Sequence, residues 1–267
     1  MRERAVFEVA PGLTLDPEAL LVILGPCSLS ERARTLRAGH VVAGAEPSMY
    51  RGGVYKPRGE PRSFQGLGEP GLALLAEVRA ATGLPVVTEV LDTRDVEKVA
   101  AVADVLQVGA RNMSNTALLK ELARADRPVL LKRGMSATID ETIKASSYLT
   151  DGGNPRVILC ERGLRTFETG YRFTLDLLAV PILQERSGLP VIVDPSHAPG
   201  RRDLVLAMSK AAVAAGADGL ITEMDEDPDT ALSDAAQQLD VTGAKAYMAE
   251  IARVAAGEGR RILRSTC

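Results

Sequence analysis

Tryptophan is absent from the 267-residue chain, and all aromatics together make up only 3%. Platforms for stacking nucleic-acid bases and the aromatic belt of a membrane protein are therefore not expected. No apolar run nears the roughly 20 residues that cross a bilayer, so no membrane span is expected. Cysteine occurs three times and histidine twice. Cys27, Cys160 and Cys267 cannot all pair within one chain, and they fit a reducing, cytoplasmic setting better than a disulfide scaffold. The first residues, MRERAVFEVAPGLTLD, are charged and broken by Pro and Gly, unlike a signal peptide. Positive charge is not in excess. The 32 basic and 35 acidic residues leave a net charge of -3, which argues against a nucleic-acid binder while leaving room for a local basic pocket.

What the chain does have is 46% hydrophobic residues, enough for a large core, arranged in short runs. The runs are LLVILGPCS (20–28), MYRGGVYKP (49–57), LPVVTEV (84–90), VLQVGAR (105–111), PVLLKRG (128–134), RVILCERG (156–163), LPVIVDPSHA (189–198) and GLITEMD (219–225). They lack polar alternation, as parallel strands covered on both faces should. Amphipathic stretches at 72–83, 94–103, 115–125, 174–188 and 204–217 read as helices, several ending in Gly before the next run. A weaker helical pattern covers 30–40, and TGAKAYMAEIARVAAGEGRR (242–261) reads as a final helix with a loose tail. Eight strand–helix units in one domain predict a (β/α)8 TIM barrel over 20–267, with 1–19 as a short N-terminal cap. An open doubly wound sheet is the alternative. No Gly-rich nucleotide fingerprint follows the first run, which counts against it.

Barrel chemistry sits at the C-terminal ends of the strands. Those ends carry Cys27, Arg51, Lys56, Arg58, Glu89, Arg111, Lys132, Arg133, Glu161, Arg162, Asp194, His197 and Glu223. Six cations, Arg51, Lys56, Arg58, Arg111, Lys132 and Arg162, would repel one another at one mouth unless anions bound there. The alternative is a set of solvated rim charges paired with Glu and Asp. A second set, Cys27, His197, Glu223 and Asp234, consists of side chains competent to bind a divalent metal. Because they are scattered and share no short motif, the residues alone leave two readings open. They are ligands of one ion, or a buried thiol with a hydrogen-bonded rim histidine. Cys160 reads as core, Cys267 as incidental and His40 as structural.

The strings at these ends resemble those of 3-deoxy-D-arabino-heptulosonate 7-phosphate synthases, in the short branch related to 3-deoxy-octulosonate 8-phosphate synthases. They are GPCS (25–28), RGGVYKPR (51–58), SFQGLG (63–68), QVGARNM (107–113), LLKRGMSATIDE (130–141), ILCERGLRTFE (158–168), DPSHAPGRRDLV (194–205) and ALSDAAQQL (231–239). The resemblance implies condensation of phosphoenolpyruvate with an aldose phosphate, most simply erythrose 4-phosphate, as the first step of aromatic amino acid synthesis. It implies that Cys27, His197, Glu223 and Asp234 hold a divalent metal such as Mn, Zn, Fe or Co. Arg51, Lys56, Arg111, Lys132 and Arg162 match phosphoenolpyruvate contacts, and Arg58 and Ser136 match positions near the aldose phosphate. Lys56, Lys132 and His197 are the implied catalytic side chains. A homodimer or homotetramer is also implied. Feedback by Phe or Tyr is not expected, since the chain shows no room for a regulatory domain, unless a partner such as chorismate mutase supplies it.

Three departures from the family pattern stand out. Gly59 follows Lys56-Pro57-Arg58 where a Thr or Ser is usual, and Glu60 and Arg62 replace small or aromatic residues. Met224-Asp225-Glu226-Asp227 replaces Val-His-Pro-Asp after Glu223, which should make the metal surroundings more acidic. Gly170-Tyr171-Arg172-Phe173 stands where a Thr-Arg-Asn type sequence is usual. The first substrate is thus better specified than the second. The octulosonate branch usually carries Asn-Arg-Ser at positions 57–59, so Pro57 counts against it. A non-catalytic barrel need not keep four scattered ligands, and a simple class II aldolase would not need so many cations.

Overall fold

A computed structural model describes residues 4–264 of the chain; Cys267 lies outside them. Eight parallel strands close into a barrel. They are β3 (Ala19–Gly25), β4 (Met49–Arg51), β5 (Val86–Glu89), β6 (Val105–Val108), β7 (Val129–Lys132), β8 (Val157–Glu161), β9 (Val191–Val193) and β10 (Gly219–Glu223). Closure is made by β10 against β3, with Gly219 opposite Leu21 and Glu223 opposite Gly25. Helices α1 (Arg32–Ala43), α2 (Glu69–Thr82), α3 (Val96–Ala100), α4 (Thr116–Leu122), α5 (Ile139–Thr150), α6 (Ala179–Ser187), α7 (Arg202–Ala214) and α8 (Val241–Gly257) each follow a strand. None of the described helices is long and apolar enough to cross a membrane.

Alternation along each strand builds two cores. On β3, Leu20, Val22 and Leu24 pack outward against the helices, while Leu21 and Ile23 point into the barrel. Both sets are fully buried, which is why the run shows no polar period. The inner layer holds Met49, Val87, Val105, Leu130, Ile158, Cys160, Ile192 and Ile221, so Cys160 is core as expected. An antiparallel hairpin, β1 (Phe7–Ala10) and β2 (Leu13–Leu15), turns at Gly12 and adds Val9, Ala10, Leu13 and Leu15 to that layer. It fills the barrel below the inner layer, leaving the opposite, C-terminal end of the strands open for chemistry.

Several boundaries differ from the sequence reading. Residues 52–57 leave the sheet after Arg51. Gly52 and Gly53 pass too close to Leu29 and the Cys27 carbonyl for any side chain, so the chain bends toward the mouth there. Helix α6 starts at Ala179 rather than 174, because the Asp176 side chain accepts from the Ala179 N–H and pairs with Arg133. Helix α5 is not among the stretches picked out above; its mark is the capping box of Thr138 and Glu141. The tail is not loose at residues 261–262, where β11 (Arg261–Ile262) pairs beside Ala19 and Leu20 of β3. His40 is exposed in the last turn of α1.

Candidate active site

Cys27 lies two residues beyond β3, His197 four beyond β9, Glu223 ends β10 and Asp234 sits in the loop that follows. The barrel brings them together, with one ligand atom from each lying within 4.8 Å of all the others. Cys27 Sγ is 3.0 Å from Asp234 Oδ2. His197 Nε2 is 3.5 Å from Glu223 Oε1 and 3.9 Å from Asp234 Oδ2. The sulfur and the ring thus face one another across a buried volume.

Neighbouring groups aim these four side chains. Asp194 Oδ2 lies 2.7 Å from His197 Nδ1, which turns Nε2 inward. The other oxygen of Asp194 accepts from the backbone N–H groups of Ser196 and His197, fixing the turn after β9. Gln237 Nε2 donates to Glu223 Oε2 at 2.6 Å. That leaves Glu223 Oε1 buried without a hydrogen bond, although Arg51 Nη2 is 3.0 Å away. Burial, together with Glu223, pushes the Cys27 thiol well up. Burial lowers the His197 ring, favouring the neutral imidazole that a metal needs. Against its own burial, Asp194 is held well below the usual carboxylate range by His197 and Lys132. A thiol, a neutral imidazole and two carboxylates, one with an orphaned oxygen, form a donor set that fits a divalent cation of intermediate softness.

Beside the quartet opens a cavity whose wall includes all six of the expected cations. Arg172 adds a seventh. Lys56 Nζ reaches Cys27 Sγ at 2.9 Å, and Lys132 Nζ reaches Asp194 Oδ2 at 2.5 Å. Arg172 reaches Gln237 Oε1 at 2.9 Å, and its guanidinium and that of Arg162 lie over the Phe173 ring. Arg58, Arg111 and Arg162 make no ion pair among the described residues. Arg51 Nε, Arg51 Nη1 and Arg162 Nη1 are buried with no hydrogen-bond partner among the described residues. Burial depresses the Arg162 pKa. Unpartnered buried guanidinium N–H groups are costly, and an anion carrying oxygens in the cavity would satisfy them.

Other expected residues fall elsewhere. Ser136 is exposed and lines a separate depression with Met113 and Tyr148, between α4 and α5, so it does not meet Arg58. Its neighbour Met135 faces the cavity instead. Arg133 and Glu161 are buried in a structural network, Arg133 Nη1 bridging Glu161 and Asp176 at 2.9 and 2.8 Å. Glu89 lines the cavity wall, where burial raises its pKa. Gly59 and Glu60 are in the wall, while Arg62 is exposed and outside it. The extra acids after Glu223 do not sharpen the acidity of the quartet. Asp225 pairs with Arg34 and Glu226 with Arg37, both on α1. The sequence offered no role for Ser63, Gln237 or Asp194, and marked Arg172 only as part of the departure at 170–173. The three-residue spacing of Asp194 and His197 is the one signal that could have found an orienting carboxylate.

A family model described as the DAHP synthetase I family matches residues 13–255. The phospho-2-dehydro-3-deoxyheptonate aldolase of Thermotoga maritima is 46% identical over 241 residues, 90% of this chain and 71% of that one. The 2-dehydro-3-deoxyphosphooctonate aldolase of Syntrophotalea carbinolica is 33% identical over 249 residues, 86% of this chain and 88% of the other. Among solved structures, the T. maritima DAHP synthase superposes with a TM-score of 0.93 at 43% identity, covering 97% of this chain and 75% of that chain. A truncated form of 3-deoxy-D-arabino-heptulosonate 7-phosphate synthase from the same organism superposes at 0.90 and 41% identity, covering 97% and 95%.

Proposed function

The chain belongs to the DAHP synthetase I family and has DAHP synthase-type aldolase activity, and from that premise we propose that it condenses phosphoenolpyruvate with erythrose 4-phosphate using a divalent cation held by Cys27, His197, Glu223 and Asp234. One juxtaposition carries the reading. A quartet of metal-competent side chains, Cys27 and Glu223 buried and His197 and Asp234 partly so, adjoins buried guanidinium N–H groups that lack acceptors. Sulfur, nitrogen and carboxylate oxygen together favour Zn, Mn, Fe or Co over Mg or Ca. When bound, the ion supplies Lewis acidity at an aldehyde oxygen.

The side chains account for the rest. Arg51, Arg111 and Arg162 offer forks that match the phosphate and carboxylate of phosphoenolpyruvate. Lys132, tethered by Asp194, adds a fixed positive charge at the wall, and Lys56 holds its ammonium between the thiol and the cavity. The enol carbon attacks the aldehyde carbon, whose oxygen takes up a proton; water adds at the next carbon and gives up a proton; and phosphate leaves by cleavage of its carbon–oxygen bond. The cationic wall orients both substrates and offsets the charge that develops. Arg58 shares the wall with Ser63, and the resemblance assigns Arg58 to the aldose phosphate. Gly59 and Glu60 in that same wall favour a second reading, in which the acceptor is a different aldose phosphate.

The buried free thiols of Cys27 and Cys160 support a reducing, cytoplasmic setting. Exposed Phe167, Leu178 and Ile182, on the loop after β8 and on α6, support a homo-oligomer, which light scattering in solution would test.

The deciding assay follows phosphate release from phosphoenolpyruvate with a panel of aldose phosphates, using protein stripped by chelator and reloaded with single metals. Release with erythrose 4-phosphate only after reloading is the expected result. Release with another aldose phosphate alone supports the second reading. Inactivity with every acceptor, or full activity without metal, overturns both.

A further inference from the structure

Asp234 differs from the other three members of the quartet in how it is held. Cys27, His197 and Glu223 lie at or within a few residues of barrel strands, whereas Asp234 is reached only through a loop of ten residues. Its backbone is left-handed, with φ 51° and ψ 35°. Residues with a Cβ adopt that conformation uncommonly, and keep it where the surroundings impose it. The ends of the loop are pinned side by side. Asp225 N–H donates to the Leu239 carbonyl at 2.9 Å, and Leu239 N–H donates to the Glu223 carbonyl at 2.9 Å. Its inner edge is tied to Ser28 through Ser233, hydroxyl to hydroxyl at 2.8 Å. The outer half, residues 225–230, has a different anchor.

Its main anchor is Arg34, on the first turn of α1, while Arg202 of α7 adds one contact, Nη2 donating to Asp229 Oδ1 at 3.0 Å. Arg34 Nη2 donates to Asp225 Oδ1 at 2.7 Å and to the Asp227 carbonyl at 2.5 Å. Nη1 donates to Thr230 Oγ1 at 2.8 Å and to the Thr230 carbonyl at 3.2 Å, and Nε lies 3.2 Å from Asp225 Oδ1. All three guanidinium nitrogens are thus engaged by one six-residue stretch. The ion pair is well covered, with the Arg34 side chain 14% and that of Asp225 6% exposed. Arg37, one turn further along, pairs with Glu226, but its side chain is 59% exposed. Helix α1 follows β3, the strand that leads to Cys27. One strand–helix unit therefore holds the thiol directly and grips the loop that delivers Asp234.

We propose that Arg34 is a positioning residue for Asp234, setting the affinity of the quartet for its divalent cation. The proposal rests on the metal reading above. Arg34 touches neither cavity nor quartet and acts only through the path of residues 225–234. Lysine cannot replace it, because one ammonium cannot span a carboxylate and two backbone carbonyls in a planar fork.

The test is titration of the metal-free full-length chain with Co2+, read by the thiolate-to-cobalt absorption of Cys27 and by the visible ligand-field bands. Arg34→Gln should weaken Co2+ binding by about tenfold, the low end of what losing a direct partner of a ligand costs, because Arg34 acts one step further out. The thiolate absorption at saturation should persist, while the ligand-field bands shift as Asp234 drops out of the coordination shell. Arg34→Lys should recover only part of the loss, and Arg37→Gln should bind as the parent does. Asp225→Asn, nearly isosteric, repeats the test should Arg34→Gln not fold. Parent affinity and parent bands in Arg34→Gln, or in Asp225→Asn where it must stand in, would overturn the proposal. A melting temperature lowered with metal affinity unchanged would also overturn it, marking Arg34 as merely structural. Failure of the parent chain to take up Co2+ would instead overturn the metal reading on which it stands.

Discussion

His197 is held by Asp194, whose Oδ2 lies 2.7 Å from the ring Nδ1 and takes Lys132 Nζ at 2.5 Å on its other side. One buried carboxylate oxygen therefore serves two jobs. It fixes which imidazole nitrogen faces the quartet, and it fixes a cation at the wall of the cavity.

Asp194→Asn keeps the shape but removes the charge that both partners use. Metal affinity should fall about 10- to 100-fold, as for other outer partners of ligating histidines. Activity at saturating metal should remain depressed, because Lys132 loses its buried counter-charge and can move. Metal titration followed by assay at saturating metal separates the two effects. Full recovery at saturating metal would show that Lys132 does not depend on Asp194.

Cys27→Ser removes the only sulfur from the quartet. A buried hydroxyl is a far poorer anionic ligand than a thiolate, so affinity for Co2+ or Zn2+ should drop beyond about a hundredfold, more than an outer partner costs. The thiolate-to-cobalt absorption should vanish. Chelator treatment of the parent chain should abolish phosphate release, and added metal should restore it. An active, tightly metal-loaded Cys27→Ser chain would return Cys27 to the role of a small buried hydrophobe.

Much of this was legible because the barrel writes its architecture into apolar runs. Each run is buried on both faces, and five of the eight barrel strands end on a charged residue, Arg51, Glu89, Lys132, Glu161 or Glu223. Strand ends therefore locate the mouth, and the resemblance assigned residues within it. Loops after the strands were not legible, because no periodicity governs the direction of their side chains. Met135 and Ser136 are adjacent, yet a turn closed by the Ala137 N–H on the Gly134 carbonyl sends the first to the cavity and the second outward. Asp225 lies two residues past Glu223, yet pairs with a helix arginine 191 positions away. Such long-range pairing has no trace in local pattern.

Arg162→Met should separate binding from stability. The guanidinium is buried, has a donor without a partner and is stacked on Phe173, so the ligand-free fold carries an incompletely compensated charge. Methionine keeps an unbranched, flexible apolar stem that can pack on the ring, and its thioether suits an aromatic neighbour. The melting temperature without ligand should rise by about 2–4 °C, the shift that about 1 kcal/mol makes in a chain of this size. At the same time, kcat/KM for phosphoenolpyruvate should fall about 10- to 100-fold, as expected for losing a charge-assisted contact. Calorimetry and steady-state kinetics on one preparation suffice. A fall in both quantities would mean that Arg162 is a structural element rather than an anion receptor.

Gly59→Thr probes the second substrate. A Cβ at Gly59 meets no atom within 4 Å, so the side chain fits without displacing the loop. The added hydroxyl would stand between Arg58 and Glu60, in the wall assigned to the aldose phosphate. One hydrogen bond to a charged phosphate is worth about 1.5 kcal/mol, close to tenfold in binding. KM for erythrose 4-phosphate should therefore fall about tenfold, while KM for phosphoenolpyruvate stays within twofold because Arg51 and Arg162 are untouched. If a longer or shorter aldose phosphate gains instead, glycine at this position is part of what selects the acceptor. If no acceptor responds, residues 57–60 do not touch the second phosphate, and its site must be sought near Arg172, across the same mouth.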